Sequence, residues 1–169
     1  SIYRYNWSKS QFFKAQPILF HSIFFIPLRE FCFRLMIRNN YIMKIEENYS
    51  LEKHNTFHLN VKTRWFMEYN CEEELSRILK DEYVSSFEKV HIGSGSNLLF
   101  LNDYSGVVLH SAIKGIETTN ENDEFVFLRV GAGVLWDNLV AYVVGKGWGG
   151  IENLSLIPGE VGAASIQNI

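Results

Sequence analysis

Apolar and polar positions fall into order from Met43 onward. Residues 61–69 form a run rich in aromatic and β-favouring side chains, which predicts an extended segment. Asn70 stands three residues before Glu73, as an N-cap and capping-box pair would, and Leu75, Ile78 and Leu79 follow at helical spacing. This predicts an amphipathic helix over residues 71–80, with Glu72, Glu73 and Glu74 in its first turn as partners of the helix dipole. Val90-His91-Ile92 predicts a strand, residues 93–97 a glycine-rich turn, and residues 98–101 an apolar return. Residues 103–106 then turn the chain into the apolar run 107–109, which is expected to be buried. Residues 113–116 open a further strand, 120–123 read as a polar turn, and 124–130 alternate as a paired strand does. Gly131-Ala132-Gly133 reads as a tight strand-to-helix turn rather than a ligand contact. Trp136, Leu139, Val140, Val143 and Val144 then mark one face of a helix that Gly147 ends. A strand–helix–strand opening followed by hairpins predicts an α+β domain.

Residues 1–42 break this order. They hold eleven of the 25 aromatic residues and no glycine, without a helical or strand period. Their apolar run, residues 17–28, is too short to span a bilayer. It also lacks the small-residue cleavage site of a signal peptide. The expectation is that the native protein starts at Met43 and that residues 1–42 are upstream translation, the competing reading being a basic membrane-surface segment. Charge divides at the same place: +5 over residues 1–42 and −8 over the remainder. An acidic body argues against general nucleic-acid binding, so a bound phosphate would have to be held locally by backbone donors. Cys32 and Cys71 are too few for a disulfide scaffold, which fits a reducing, cytoplasmic setting.

Two stretches carry the candidate chemistry. In Gly93-Ser94-Gly95-Ser96-Asn97, glycines let successive N–H groups converge on an anion, and Ser96 and Asn97 add side-chain donors. The second, residues 148–169, is dense in small residues: Gly149, Gly150, Gly159, Gly162, Ala163 and Ala164. Such density means that backbone closely approaches other backbone or a flat ligand. A nicotinamide-binding Rossmann turn is excluded because Leu98 stands where the third glycine belongs. A P-loop lacks its Gly-Lys-Ser/Thr, there is no Gly-x-Ser-x-Gly elbow, and the five histidines have no metal-ligand spacing. Each histidine reads as a surface or core residue, with His91 the one to mutate. No metal site is expected.

Three separated motifs then agree. They are Asn55-Thr56-Phe57, Gly93-x-Gly95-Ser96-Asn97-Leu98-Leu99, and Glu152-Asn153-Leu154-Ser155-x-Ile157-Pro158-Gly159-x-Val161-Gly162-Ala163-Ala164-x-Ile166-Gln167-Asn168. In this order the chain resembles the UDP-N-acetylenolpyruvoylglucosamine reductase family, flavoenzymes of peptidoglycan precursor synthesis, from about Met43 to Ile169. The resemblance implies the α+β FAD-binding fold of the p-cresol methylhydroxylase type, with two subdomains expected at residues 43–112 and 113–169. The second would be incomplete and the substrate domain absent, since the chain stops at Ile169 without a terminating feature. It further implies noncovalent FAD, NADPH as reductant, a UDP-sugar substrate and a monomer without membrane attachment. Gly93, Ser94, Gly95, Ser96, Asn97 and Leu98 would belong to the pyrophosphate loop. Pro158, Gly159, Gly162, Ala163 and Ile166 would lie against the ribityl and ring portions. The catalytic residues of the family are expected downstream of Ile169, so none is named here and the fragment is expected to be inactive. Three positions depart from the family pattern: Ser94, His58 in place of a frequent glycine, and Ser165 in place of proline. The alternatives are another flavin oxidoreductase of the same fold and a non-catalytic flavin-binding remnant.

Overall fold

A computed structural model describes residues 44–166. The expectations for residues 1–42, and the Gln167-Asn168 end of the last motif, lie outside them. Ten elements follow in order: β1 (Lys44–Ser50), β2 (Lys62–Tyr69), α1 (Glu72–Lys80), α2 (Glu82–Ser85), β3 (Lys89–Ile92), β4 (Tyr104–Ser111), β5 (Ile116–Glu121), β6 (Val126–Val130), α3 (Trp136–Gly145) and α4 (Val161–Ala164). One-turn 3-10 helices stand at Glu52–His54 and Glu152–Leu154.

β1–β4 form one sheet in the order β1-β2-β4-β3, with β1 antiparallel to β2 and both β2 and β3 parallel to β4. The sequence explains why β4 is central. Val107, Val108 and Leu109 are consecutive and all fully buried, which requires cover on both faces of the strand. On one face Val107 and Leu109 join Trp65, Met67, Tyr69, Ile78 and Val84 beneath α1 and α2. On the other, Val108 joins Phe66, Ile92 and Leu51, with Leu98 and Phe100 packed against them. In the apolar return over residues 98–101, Leu98 and Phe100 cover this core while Leu99 and Leu101 are exposed.

Several local expectations shift. β1 was not expected, because Lys-Ile-Glu-Glu-Asn-Tyr-Ser has no apolar alternation; it is an edge strand with little buried surface. The N-cap of α1 is Cys71 rather than Asn70, since extended backbone continues one residue further than the polar pattern indicates. It is Glu74 whose carboxylate accepts the Asn70 N–H, at 2.7 Å, while Glu73 bonds the Cys71 side chain. Leu79 and Val144, placed on buried faces by spacing, are about half exposed. β5 begins at Ile116, after Gly115 with φ +110°, and β6 at Val126, because the Asn122 side chain accepts the N–H groups of Glu124 and Phe125 and closes the hairpin turn first. Gly147, with φ +76°, follows the end of α3 as the pattern predicts. Gly131 and Gly133 serve closeness to backbone: a Cβ on either would strike the carbonyl of Ile113 or Ser111. Among the described residues no helix is long and apolar enough to cross a membrane.

Phe66 fills the second core with no exposed surface. Phe66→Ala is expected to destabilise the chain by about 3–5 kcal/mol, measured as a lowered urea midpoint with unchanged slope. A loss below about 1 kcal/mol would mean that this face of β4 is not a packed core.

Candidate functional site

The three parallel strands all end at one edge of the sheet, β2 at Tyr69, β3 at Ile92 and β4 at Ser111. Crevices at the carboxyl ends of parallel strands are where open α/β sheets receive ligands. Here the edge opens into a cleft of about 260 Å³ lined by Tyr69, His91, Ile92, Gly93 and Ser111 on the sheet side. Ala132, Glu160, Gly162, Ala163 and Ile166 face them. The glycine-rich loop leaves β3 directly into this cleft.

Its far wall is a strap, residues 158–163, running antiparallel to residues 132–136. Trp136 N–H donates to Gly159 O, Val161 N–H to Val134 O and Gly162 N–H to Ala132 O, at 2.9–3.0 Å. Leu135 and Glu160 form an isolated antiparallel bridge. A Cβ at Gly162 would lie 2.7 Å from the Ala132 Cβ, so only glycine lets the two backbones meet here. Loop and strap, 62 residues apart, are joined where Ser96 Oγ donates to Pro158 O at 3.1 Å.

Beneath the loop lies the turn that carries Asn55-Thr56-Phe57. Asn55 is buried; its Nδ2 donates to Leu51 O and Leu59 O, and its Oδ1 accepts the Leu59 N–H at 2.9 Å. This staple sets the His54 carbonyl directly under Gly95, whose φ is +71° and whose Cβ, were there one, would sit 1.8 Å from that oxygen. His58 keeps a left-handed backbone, φ +52°, so the glycine-type turn survives its replacement.

A polar cluster lies behind the cleft. His110 Nδ1 meets Glu68 Oε2 at 2.8 Å, and its Nε2 meets both Glu160 oxygens at 3.2 Å. Burial of the ring works against its charged form, but hydrogen bonds and charges from Glu160 and Glu68 outweigh burial and raise its pKa above the ordinary 6.5. His54, 5.2 Å away ring to ring, is shifted the opposite way, by burial first and by His110 second. Among the described residues no group of three or more His, Cys, Asp or Glu side chains is disposed to hold a metal ion.

The residues singled out in the sequence come together here. Gly93, Gly162, Ala163 and Ile166 line the cleft, and Ser96 and Pro158 tie its two walls. Gly95 rests on His54, Gly159 takes φ +136° in the strap, and Asn97 is exposed. The Leu98 side chain joins the core beyond the loop. Ser94 Oγ is buried without a hydrogen-bond partner. Spacing missed Tyr69, Glu68, His110 and Glu160. The available signal was a histidine directly after an apolar run, and one acid within the small-residue strap.

The family model described as FAD binding domain matches residues 65–169. The chain belongs to this FAD-binding domain family. It is 46% identical over 127 residues to UDP-N-acetylenolpyruvoylglucosamine reductase of Porphyromonas gingivalis, covering 75% of this chain and 38% of that protein. With the reductase of Bacteroides fragilis, identity is 51% over 125 residues, 74% of this chain and 37% of that one. The crystal structure of UDP-N-acetylenolpyruvylglucosamine reductase (MurB) from Thermus caldophilus superposes with a TM-score of 0.54 at 27% identity, covering 73% of this chain and 41% of its own. The chain thus spans under two fifths of the first relatives' length. Its architecture is the mixed α and β FAD-binding fold of the p-cresol methylhydroxylase type.

In this FAD-binding domain Gly95 is the position least able to accept a side chain. Gly95→Ala combines a left-handed backbone with a clash against fixed backbone, and is expected to destabilise by about 3 kcal/mol in urea unfolding. Wild-type stability would show that the His54 carbonyl does not support the loop.

Proposed function

We propose that this chain is the flavin-binding part of a UDP-N-acetylenolpyruvoylglucosamine reductase. In that reading, bound FAD supplies hydride transfer from NADPH to the enolpyruvyl double bond of UDP-N-acetylglucosamine enolpyruvate, giving UDP-N-acetylmuramate for peptidoglycan synthesis. The supporting observation is the junction of the glycine loop with the strap at the carboxyl edge of three parallel strands, sealed by Ser96 and Pro158. Gly93, Gly95, Ser96 and Asn97 would hold the pyrophosphate through backbone and side-chain donors. The orphaned Ser94 hydroxyl fits such an acceptor, since a buried hydroxyl left unpaired is unfavourable. Gly159, Gly162, Ala163 and Ile166 would offer a flat, side-chain-poor wall to the ribityl and ring portions.

A cleft of about 260 Å³ holds only part of a dinucleotide. We therefore assign no catalytic role within this chain, and place the acid that protonates the substrate in sequence outside it. Residues 43–112 and 113–169 remain our division into two flavin-binding subdomains. The fragment would be inactive, and the whole protein a cytoplasmic monomer. A second reading, a covalent flavin oxidase of the same fold, is disfavoured because residues 93–97 contain neither His nor Cys.

The 169-residue chain mixed with FAD is expected to retain flavin through gel filtration and release it on acid precipitation. Flavin that stays with the precipitated protein would favour the covalent oxidase, and failure to retain any flavin would sink the assignment. Ser94→Ala separates ligand from fold. It is expected to leave ligand-free stability unchanged, or raised by about 1 kcal/mol, while weakening FAD binding. Unchanged FAD affinity would remove Ser94 from the site.

A further inference from the structure

Two carboxylates on the two ring nitrogens of one histidine pose a proton-counting problem. A neutral imidazole has one N–H, so it can donate to Glu68 or to Glu160 but turns a lone pair toward the other. With both carboxylates ionised, only the imidazolium satisfies both contacts, at 2.8 Å and 3.2 Å. The cluster also sits where it matters. His110 is paired with Glu68 across β2 and with Ile92 across β3, so it lies level with the point where the glycine loop leaves the sheet. Glu160 belongs to the strap, is 7% exposed, and its carboxylate lies under Gly93, 3.4 Å from where a Cβ would be. A bare carboxylate there would repel any anion seated on the loop. A cation bonded to its far side neutralises it and fixes the strap.

We propose that His110 is a positioning residue for the flavin cleft: as an imidazolium it clamps Glu160, and with it the strap, to Glu68 in the sheet, and its deprotonation releases the strap from the glycine loop. The consequence for flavin rests on the reading above; the clamp itself does not.

The surroundings are consistent. His54 from the 3-10 turn meets the ring edge-on, and Phe66 of β2 lies 6.1 Å away at 27°. Lys44 of β1 sits over the Tyr49 and Phe66 rings, and Tyr49 OH contacts His54 Nε2 at 3.2 Å. His54 is disfavoured as a cation by burial and by His110, so the cluster's proton resides on His110. The sign follows. A histidine whose pKa is raised by folding stabilises fully below its unfolded value of 6.5, and the contribution is lost as pH rises through the folded value. The strap should therefore loosen on the alkaline side, not the acid side.

The test follows the ¹H–¹³C signal of the His110 ring and the amides of Gly162 and Ala163 in the 169-residue chain, without flavin, from pH 5.5 to 9. His110 is expected to stay protonated above pH 6.5, and the protection of the two amides, their exchange relative to the unstructured rate at the same pH, to fall about tenfold once it titrates. Glu160→Gln should lower the His110 midpoint and leave the protection of both amides, corrected for base catalysis, independent of pH. In His110→Gln the two amides should show the low protection at every pH; if it fails to fold, the wild-type titration and Glu160→Gln still decide. With FAD added, the dissociation constant should rise about tenfold across the same midpoint. A His110 midpoint at or below 6.5, or strap amides indifferent to its titration, would overturn the clamp. So would bound FAD whose affinity is flat across that midpoint. Coupled titration with no FAD binding at any pH would instead uphold the clamp and overturn the flavin assignment.

Discussion

Burial of β4 on both faces is the constraint from which the remaining architecture follows. Val107, Val108 and Leu109 leave the strand no face that water could wet, so it must be flanked by strands and covered twice. Helices α1 and α2 cover one side. The other is closed by Leu51, Leu98 and Phe100, which come from the turn and the loop that build the cleft. Because β2, β3 and β4 run parallel, their carboxyl ends are brought to one edge together. The site is thus a by-product of how the core had to be closed: the residues that lid the second core also fix the floor and mouth of the glycine loop.

Polar side chains then do what apolar ones cannot, which is to set register between segments distant in sequence. Asn55 spends its whole amide on the backbone of one turn and thereby locates the His54 carbonyl under Gly95. Ser96 ties the strap to the glycine loop, and the Glu68–His110–Glu160 row ties it to the sheet. The Asn55 and His110 bonds are buried or half-buried, where a hydrogen bond is strengthened by its surroundings and an unmade one is costly. The cleft's shape is specified by these few bonds more than by apolar contact.

Much of this was legible in the sequence for physical reasons. Strands β2, β3, β4 and β6 and helices α1 and α3 carried their own periodicity. The glycines of the loop and strap marked close approaches that the structure displays at Gly95 and Gly162. What escaped was information held between segments. β1 has no apolar pattern because it is an edge, and its place is set by pairing with β2. Residues 98–101 read only as an apolar return; that Leu98 and Phe100 cover the second core while Leu99 and Leu101 face solvent is not encoded in the run itself. His110 and Glu160 could not be paired from spacing, since 50 residues, with the β5–β6 hairpin and α3 among them, separate them along the chain. Asn70 against Cys71 as N-cap was a one-residue matter of backbone angles, which a polar pattern does not encode.

The β5–β6 hairpin has only two strands, and its Phe125 and Phe127 side chains are largely uncovered. Two-stranded ribbons are marginal in water, whereas a four-stranded sheet with two covered faces is not. The strap hangs between them, bonded to residues 132–136 just past β6 and clamped to the four-stranded sheet. The cleft is therefore a seam between material of unequal cohesion, and seams open before sheets do. A molecule lodged across it would act as a stitch, slowing local opening while leaving the hydrophobic layers beneath as they were.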